Sequence, residues 1–306
     1  MNSNAPLRFK SISDYHDFRG LPKPQHPLVS VVNFEDMHRF YQEEPKSIVF
    51  DFYSIALKRN SNVAYKYGHQ HYDFNEGILF FISPGQVFGV EAANNANIKL
   101  SGWMVLVHPD FLWNTTLAKT IKNYDYFNYA INEALCLSDK EETTLTAIVE
   151  NIKQEYHSNI DTFSQDLIIA QLELLLKYSD RFYNRQFITR KIGNHQIVNR
   201  LEELLTNYFD DNDHSKKGLP TVNYIAESLN ISPNYLSNML KVLTGQSTQQ
   251  HIHDKLISKA KEKLSTTSLS VGEIAFQLGF EHAPSFSKLF KNKTTFSPLE
   301  FRNSFN

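Results

Sequence analysis

The 306-residue sequence contains one cysteine, Cys136, so it can form no internal disulfide and nothing in it calls for an oxidising compartment. No apolar run approaches the roughly 20 residues that span a bilayer. The opening stretch, MNSNAPLRFKSISDYHDFRGLPKPQHP, lacks the apolar core of a secretory signal, so a cytoplasmic protein with no membrane partner is expected. Phosphate-binding loops, nucleophile–base sets and carboxylate pairs in a context suited to acid–base work are all missing, which argues against an enzyme. Net charge is small too, at -2 with 41% hydrophobic residues, which excludes a disordered chain.

The length suits two domains, and the charge is unevenly divided between them. From Lys217 to Asn306 there are ten Lys+Arg against six Asp+Glu, a net of +4; the rest of the chain carries 21 against 27, a net of -6. A basic C-terminal domain on an acidic body suits a polyanionic partner, though many solvated helical faces carry as much charge.

Residues 1–27, polar and bearing Pro22, Pro24 and Pro27, read as an irregular arm. From Ser47 to about Val107 the pattern is of short β-rich runs, IVFDFYSIALKR, NVAYKYGHQHYDF, GILFFIS, QVFGVEA and KLSGWMVLV, broken by turn residues. Such spacing predicts a β-sandwich or small barrel. Helical periodicity follows. Leu145, Ile148, Val149, Ile152 and Tyr156 mark one face over 139–157, and Leu167, Ile168, Leu172, Leu174, Leu175 and Tyr178 mark a wide apolar arc over 163–186. An arc of that width needs cover on two sides, from the β domain, from a partner chain, or from both. RQFITRKIGNHQ reads as a hinge, and a further helix carries Ile197, Leu201, Leu204, Leu205 and Tyr208.

The most informative region follows Pro220. TVNYIAESLNISPNYLSNMLKVLTG reads as helix, turn, helix: Ile225, Ala226 and Leu229 form an apolar face, Asn230-Ile231 the turn, Ser232 an N-cap and Pro233 a first helical position where a missing N–H costs nothing. Leu236, Met239 and Leu240 point inward at helical spacing, while the other face carries Asn234, Ser237, Asn238 and Lys241. Those short donors and acceptors plus a cation are what base edges and phosphates in a major groove require. The pattern recurs in SVGEIAFQLGFEHAPSFSKLFKN. Ser270 and Glu273 form a capping box, Ile274, Ala275 and Leu278 the apolar face, and Gly279 the helix stop. Phe286, Leu289 and Phe290 turn inward, leaving Ala283, Ser285, Ser287, Lys288 and Lys291 outward. Between the two lies TQQHIHDKLISKAKEKL, amphipathic through Ile252, Leu256, Ala260 and Leu264. As a helix it is about 25 Å long, of the order of the ~34 Å repeat of the major groove. A last capping box, Ser297 to Glu300, opens a short helix with Phe301 and Arg302.

These residues carry a resemblance. The segment from about Gly218 to Asn306 resembles the AraC/XylS family of bacterial transcription regulators. Its A-x-x-x-x-[ST]-x-x-x-L stretch is matched by Ala226, Ser232 and Leu236, and its second-unit pattern by GFEHAPSFSKLFKNKTTFSPLEFR, Gly279 to Arg302. Thr295 departs from the pattern, standing where the family usually has glycine. The resemblance implies sequence-specific DNA binding through Asn234, Tyr235, Ser237, Asn238 and Lys241 of the first unit (about 221–245) and Ala283, Ser285, Ser287, Lys288 and Lys291 of the second (about 270–293). The second helix is poor in long donors, and Ala283 offers only apolar contact to a thymine methyl, so the first is expected to discriminate more.

Further implied are an α+β two-domain fold with a cupin-like β-barrel over 1–135 for sensing, a helical dimerisation segment over 136–190 and an all-α double helix-turn-helix domain over 191–306. NEGILFFISPGQVF is similar to the family's turn between barrel strands, and SGWMVLVHPDFLWN looks like regulators common in Bacteroidetes. The implied partners are double-stranded DNA, RNA polymerase, a second copy of the chain, and a small-molecule effector or a protein. Tyr53, Arg59, Tyr65, Tyr67 and Phe81 are candidates to line an effector pocket, or simply to fill the barrel. His69-x-His71 with Glu76 raises the alternative of a metal-dependent cupin enzyme. The register argues against it: His71 stands close before Pro84, Gln86, Val87 and Phe88 follow Pro84-Gly85, and His108 is the nearest spare. No metal or cofactor is expected.

Overall fold

The computed structural model describes residues 6–37, 47–59, 77–89, 101–130, 133–158, 163–189, 191–210 and 218–304. The chain divides into two compact units, Met1–Gln186 and Phe187–Asn306. No described helix is long and apolar enough to cross a membrane.

The first unit starts with a correction. The expected irregular arm contains strand β1 (Leu7–Phe9) and helix α1 (Ile12–Arg19). Ser11 and Asp14 form a reciprocal capping box at the start of α1, and Gly20 ends it at a φ of 65°. The helix has only two turns, too short for its buried Ile12 and Tyr15 to register as periodic. His16 is buried just beyond, its Nδ1 2.6 Å from the Pro22 carbonyl and its Nε2 3.0 Å from the Ser30 hydroxyl. The carbonyl only accepts, so in the neutral ring Nδ1–H donates to it and Nε2 accepts from Ser30.

Among the described residues seven more strands follow: β2 (Val29–Asn33), β3 (Ser47–Phe50), β4 (Tyr53–Arg59), β5 (Gly77–Ile82), β6 (Val87–Gly89), β7 (Ser101–Val107) and β8 (Leu135–Leu137). The described strands make two sheets, of order β1-β3-β6 and β2-β7-β4-β5-β8, rather than one closed barrel. The run 48–59 is thus two strands in different sheets, parted at Asp51-Phe52. Between the sheets lies an aromatic core. Phe9 meets Tyr15, Phe18 and Phe50 at 5.4, 5.1 and 6.0 Å, Phe50 stacks on Phe52 at 4.7 Å, and Phe88 closes on Phe50 at 5.0 Å. Such pairs add about 0.5–1.5 kcal/mol each beyond the area they bury. Val32, Met104, Ala56 and Ile82 complete this interior from the five-stranded sheet.

Strand parity then decides the fate of the expected effector set. Val105 pairs with Ile55 and Ile55 with Phe81, so these residues share the opposite face of the sheet, together with Tyr53 and Arg59. That face is covered by helices. Phe81 packs on Tyr126 at 4.3 Å and Phe127 at 5.3 Å, Tyr53 packs on Phe127 at 5.3 Å, and Arg59 pairs with Glu142. Tyr53, Arg59 and Phe81 therefore do not line the space between the sheets. Tyr65, Tyr67, His69, His71 and Glu76 lie outside the described residues.

A short helix α2 (Thr116–Thr120) leads to α3 (Asp139–His157) and α4 (Ser164–Thr189), close to the ranges their periodicity predicts. Trp103 donates to Thr146 Oγ1 of α3 at 3.1 Å. Arg185 of α4 makes a two-pronged contact with Glu141 and also donates to the Cys136 carbonyl, while Gln186 accepts the Cys136 N–H at 2.8 Å. The first unit therefore takes in α3 and α4 as far as Gln186. The expected hinge at 185–196 is helical on both sides of Arg190: α4 runs through to Thr189 and α5 (Lys191–Asp210) begins two residues on.

The second unit is all α: α5, α6 (Val222–Leu229), α7 (Pro233–Thr244), α8 (Thr248–Thr266), α9 (Val271–Gln277), α10 (Ala283–Thr294) and α11 (Pro298–Asn303).

Candidate nucleic-acid interface

Local punctuation builds both halves of the second unit. The Thr221 side chain caps α6, and Asn230 stops it in the left-handed conformation, φ 57° and ψ 42°. Ser232 caps α7 by accepting the Tyr235 N–H at 3.2 Å, with Pro233 in the first turn. Ser270 and Glu273 cap α9 reciprocally, and Gly279 turns the chain at a φ of 89°. A Cβ on Gly279 would stand 2.5 Å from the Gly218 carbonyl oxygen, so close approach as well as backbone angle requires glycine there.

The two halves repeat one another. Ile225, Ala226 and Leu229 of α6 correspond to Ile274, Ala275 and Leu278 of α9, all buried. Leu236, Met239 and Leu240 of α7 correspond to Phe286, Leu289 and Phe290 of α10, buried except for the half-buried Leu289. After α7 comes Gly245 at a φ of 74° and then the Ser247–Gln250 capping box of α8; after α10 comes Thr295 at a φ of 70° and then the Ser297–Glu300 box of α11. Helix α8 joins the halves through buried Ile252, Leu256, Ala260 and Leu264 and is about 28 Å long over its 19 residues. Arg302 closes the second half from α11, donating to the Leu264 and Leu269 carbonyls at 3.3 and 2.6 Å.

On α7, Asn234, Ser237 and Asn238 are partly exposed and Lys241 is exposed, one side of the helix at spacings of three and four. Ser237 shares a 3.1 Å hydrogen bond with the Thr248 hydroxyl, which fixes its rotamer. On α10, Ser285, Lys288 and Lys291 are exposed, while Ala283 and Ser287 are half-buried. Tyr235 needs correction. It is 6% exposed, its ring set edge-to-face against Phe187 at 5.1 Å, so it belongs to the core and supports α7 from behind. Phe187 was not anticipated as part of this region. It lies in the last turns of α4, 48 residues upstream in sequence, and Asn194 of α5 secures it by donating to its carbonyl at 2.7 Å.

Three lysines of this unit are ion-paired. Lys255, Lys259 and Lys293 reach Glu202, Asp210 and Asp254 at 3.9, 2.5 and 3.1 Å. Hydrogen bonds from Lys259 to Asp210 and Glu262 raise its pKa further. Lys241, Lys288 and Lys291 make no ion pair among the described residues, and all three stand on α7 or α10. His253 on α8 is held below its usual pKa, first by burial and then by Lys293. No cluster of three or more His, Cys, Asp or Glu side chains with metal-binding geometry occurs among the described residues.

The helix-turn-helix domain family model matches residues 225–304, from the first turn of α6 to the end of α11. The C-terminal unit is an AraC/XylS-type helix-turn-helix domain. Around this AraC-type domain the chain is 29% identical, over 115 residues, to an HTH-type transcriptional regulator in the cgkA 5′ region of Pseudoalteromonas carrageenovora, covering 38% of this chain and 63% of that protein. It is 23% identical over 257 residues to the HTH-type transcriptional activator RhaS of Shigella dysenteriae serotype 1, covering 82% of this chain and 85% of the relative. Among solved structures, the C-terminal domain of AraT, a response regulator from Geobacillus stearothermophilus, is 33% identical with a TM-score of 0.31, covering 35% of this chain and 84% of that one. The chain spans less than two thirds of the first curated relatives it matches, 63%, 46% and 32% of their lengths.

Proposed function

We propose that the chain is a sequence-specific transcription regulator that binds double-stranded DNA with α7 and α10 and answers to a small molecule or a protein partner through its N-terminal unit. The carrying observation is the exposure of three lysines on the two helices that follow the turns. Lys241, Lys288 and Lys291 are exposed there, beside the polar side chains Asn234, Asn238, Ser285 and Ser287. Phosphate contact is the work of such cations, and base-edge contact that of the polar groups. The transcriptional regulators named among the relatives support this reading, and a non-enzymatic, cytoplasmic protein is part of it.

The N-terminal unit is read as a cupin-like sensing module. The space between its described sheets is filled by phenylalanine and tyrosine rings, which favours a signal entering elsewhere than the sheet interior, by protein contact or at a site among the helices. Phe163, just before α4, and Leu167 and Leu174 on it, exposed at spacings of four and seven, suit pairing with a second copy of the chain. RNA polymerase is a further partner of this reading.

Selection of the full chain against a random duplex pool at moderate salt tests it. Enrichment of one motif with two blocks about one helical turn apart is expected. Salt-sensitive binding with no enriched sequence would overturn the reading.

A further inference from the structure

A cavity of about 410 Å³ opens within the N-terminal unit, where the stretch after α1, the turn Pro109–Leu112, the end of α3 and the start of α4 meet. Its volume lies in the lower part of the range of small-molecule sites, about 300–1,000 Å³. It lies outside the sheet interior, and Val29 of its lining belongs to the same face of the five-stranded sheet as Tyr53 and Phe81.

The polar side chains that line it are each oriented by a hydrogen bond within the protein and keep capacity for another. His26 Nδ1 accepts the Leu28 N–H at 3.1 Å. Burial holds this ring below its usual pKa, so it is neutral near physiological pH; with Nδ1 accepting, Nε2 carries the proton and is a donor. The Tyr156 hydroxyl accepts the Gln25 N–H at 2.6 Å and retains its own O–H. Gln165 donates through Nε2 to the Phe111 carbonyl at 2.7 Å, leaving Oε1 as an acceptor. Glu155 accepts from the Ser164 hydroxyl at 2.6 Å through Oε1, leaving Oε2. Leu28, Val29, Phe111 and Ile168 supply the apolar wall, and the His26 and Phe111 rings meet edge-to-face at 5.3 Å.

The charge of the lining is one-sided. Glu155 is inside, and Asp110, its carboxylate 3.4 Å from His108 Nδ1 and 62% exposed, is at the rim; no lysine or arginine is among the described lining residues. An anion would meet two carboxylates with no compensating cation, whereas a cation gains from both, and a neutral His26 adds no repulsion. We propose that this cavity binds a small organic amine with an apolar body, the ammonium on Glu155 with Asp110 at the mouth, and the body against Leu28, Phe111 and Ile168. Ser164, Gln165 and Ile168 belong to the first turns of α4. That the amine acts as the signal rests on the regulator reading above; that it binds does not.

Isothermal titration of the full chain, without DNA and at neutral pH, with three probes of one shape and different charge is the test: phenethylamine, 2-phenylethanol and phenylacetate. Phenethylamine should bind one per chain, at least about tenfold more tightly than 2-phenylethanol, and phenylacetate should not bind. Glu155→Gln keeps the acceptor for Ser164 and should weaken the amine about tenfold or more while leaving the alcohol unchanged. Asp110→Asn, a rim substitution with little bearing on folding, should weaken it about threefold. No saturable heat from phenethylamine up to roughly 10 mM, equal binding of the three probes, or unchanged amine affinity in the variants would overturn the proposal. Amine binding without sequence-selective DNA binding would remove the regulator reading and leave the site. Sequence-selective DNA binding without amine binding would remove only the site.

Discussion

Replacing Thr295 with glycine should stabilise the C-terminal unit. Thr295 holds a φ of 70° and a ψ of -17° just past α10, a left-handed conformation that costs an L-residue about 1–2 kcal/mol and suits a β-branched one least. Its hydroxyl contacts only the neighbouring Thr294 carbonyl, at 2.5 Å on an exposed turn, so little is lost with it. Glycine's greater freedom in the unfolded chain offsets about 0.5–1 kcal/mol. The net gain is about 1 kcal/mol, or a rise of roughly 4 °C in the melting point of a unit of this size. The repeat supplies the reciprocal experiment. Gly245 occupies the equivalent place after α7 at a φ of 74°, and a Cβ there would meet nothing within 4 Å. Gly245→Thr should therefore destabilise by strain alone, by about 1 kcal/mol. Calorimetry and far-UV circular dichroism read the change. Both tryptophans, Trp103 and Trp113, lie in the first unit, so the tryptophan-detected transition should stay in place. Thr295→Gly no more stable than the parent, together with a neutral Gly245→Thr, would refute the strain argument.

Asn238→Ala should weaken binding to the selected DNA site by about 1–3 kcal/mol with little change in melting, as titration against matched and scrambled duplexes would show; equal affinity of variant and parent would remove Asn238 from the interface. Glu273 is held below the usual carboxylate range by the Ser270 hydroxyl and N–H, and Glu300 by the Ser297 N–H and hydroxyl. A carboxylate whose pKa is lower folded than unfolded contributes stability above its unfolded pKa and loses it as pH falls through the folded one. The C-terminal unit should therefore weaken on acidification from about pH 5 downward, and the Glu273→Gln/Glu300→Gln variant should show a flatter pH–stability profile. Leu167→Glu, on an exposed face of α4, should convert a dimer to monomers in sedimentation velocity without altering the melting of the first unit. A persisting dimer would place the contact elsewhere.

The C-terminal unit was legible because its instructions are local. Ser232, Ser270 and Ser297 each sit three residues before the N–H they cap, Asn230 and Gly279 stop helices with their own backbone angles, and the buried residues recur at three and four. Where a feature depends on residues distant in the chain, the same reasoning fell short. Tyr235 was named among the DNA-binding residues because nothing near it in sequence announces Phe187. The first strand and helix went unseen because Phe9, Ile12 and Tyr15 are too few to make a pattern, and their burial depends on Phe50 and Phe88 of other strands.

Strand parity shows the division most clearly. Alternation along β4 and β5 placed Tyr53, Arg59 and Phe81 on one common face, but alternation is blind to which of two faces looks between the sheets and which lies under helices. That choice came from sheet pairing and from the docking of Tyr126, Phe127 and Glu142, contributed from 45 residues and more further along the chain. Short-range hydrogen bonds and helical period therefore specify the two helix-turn-helix halves in the sequence itself. The use of each face of the N-terminal unit, and the cavity at the head of α4, arise only when distant segments close on one another.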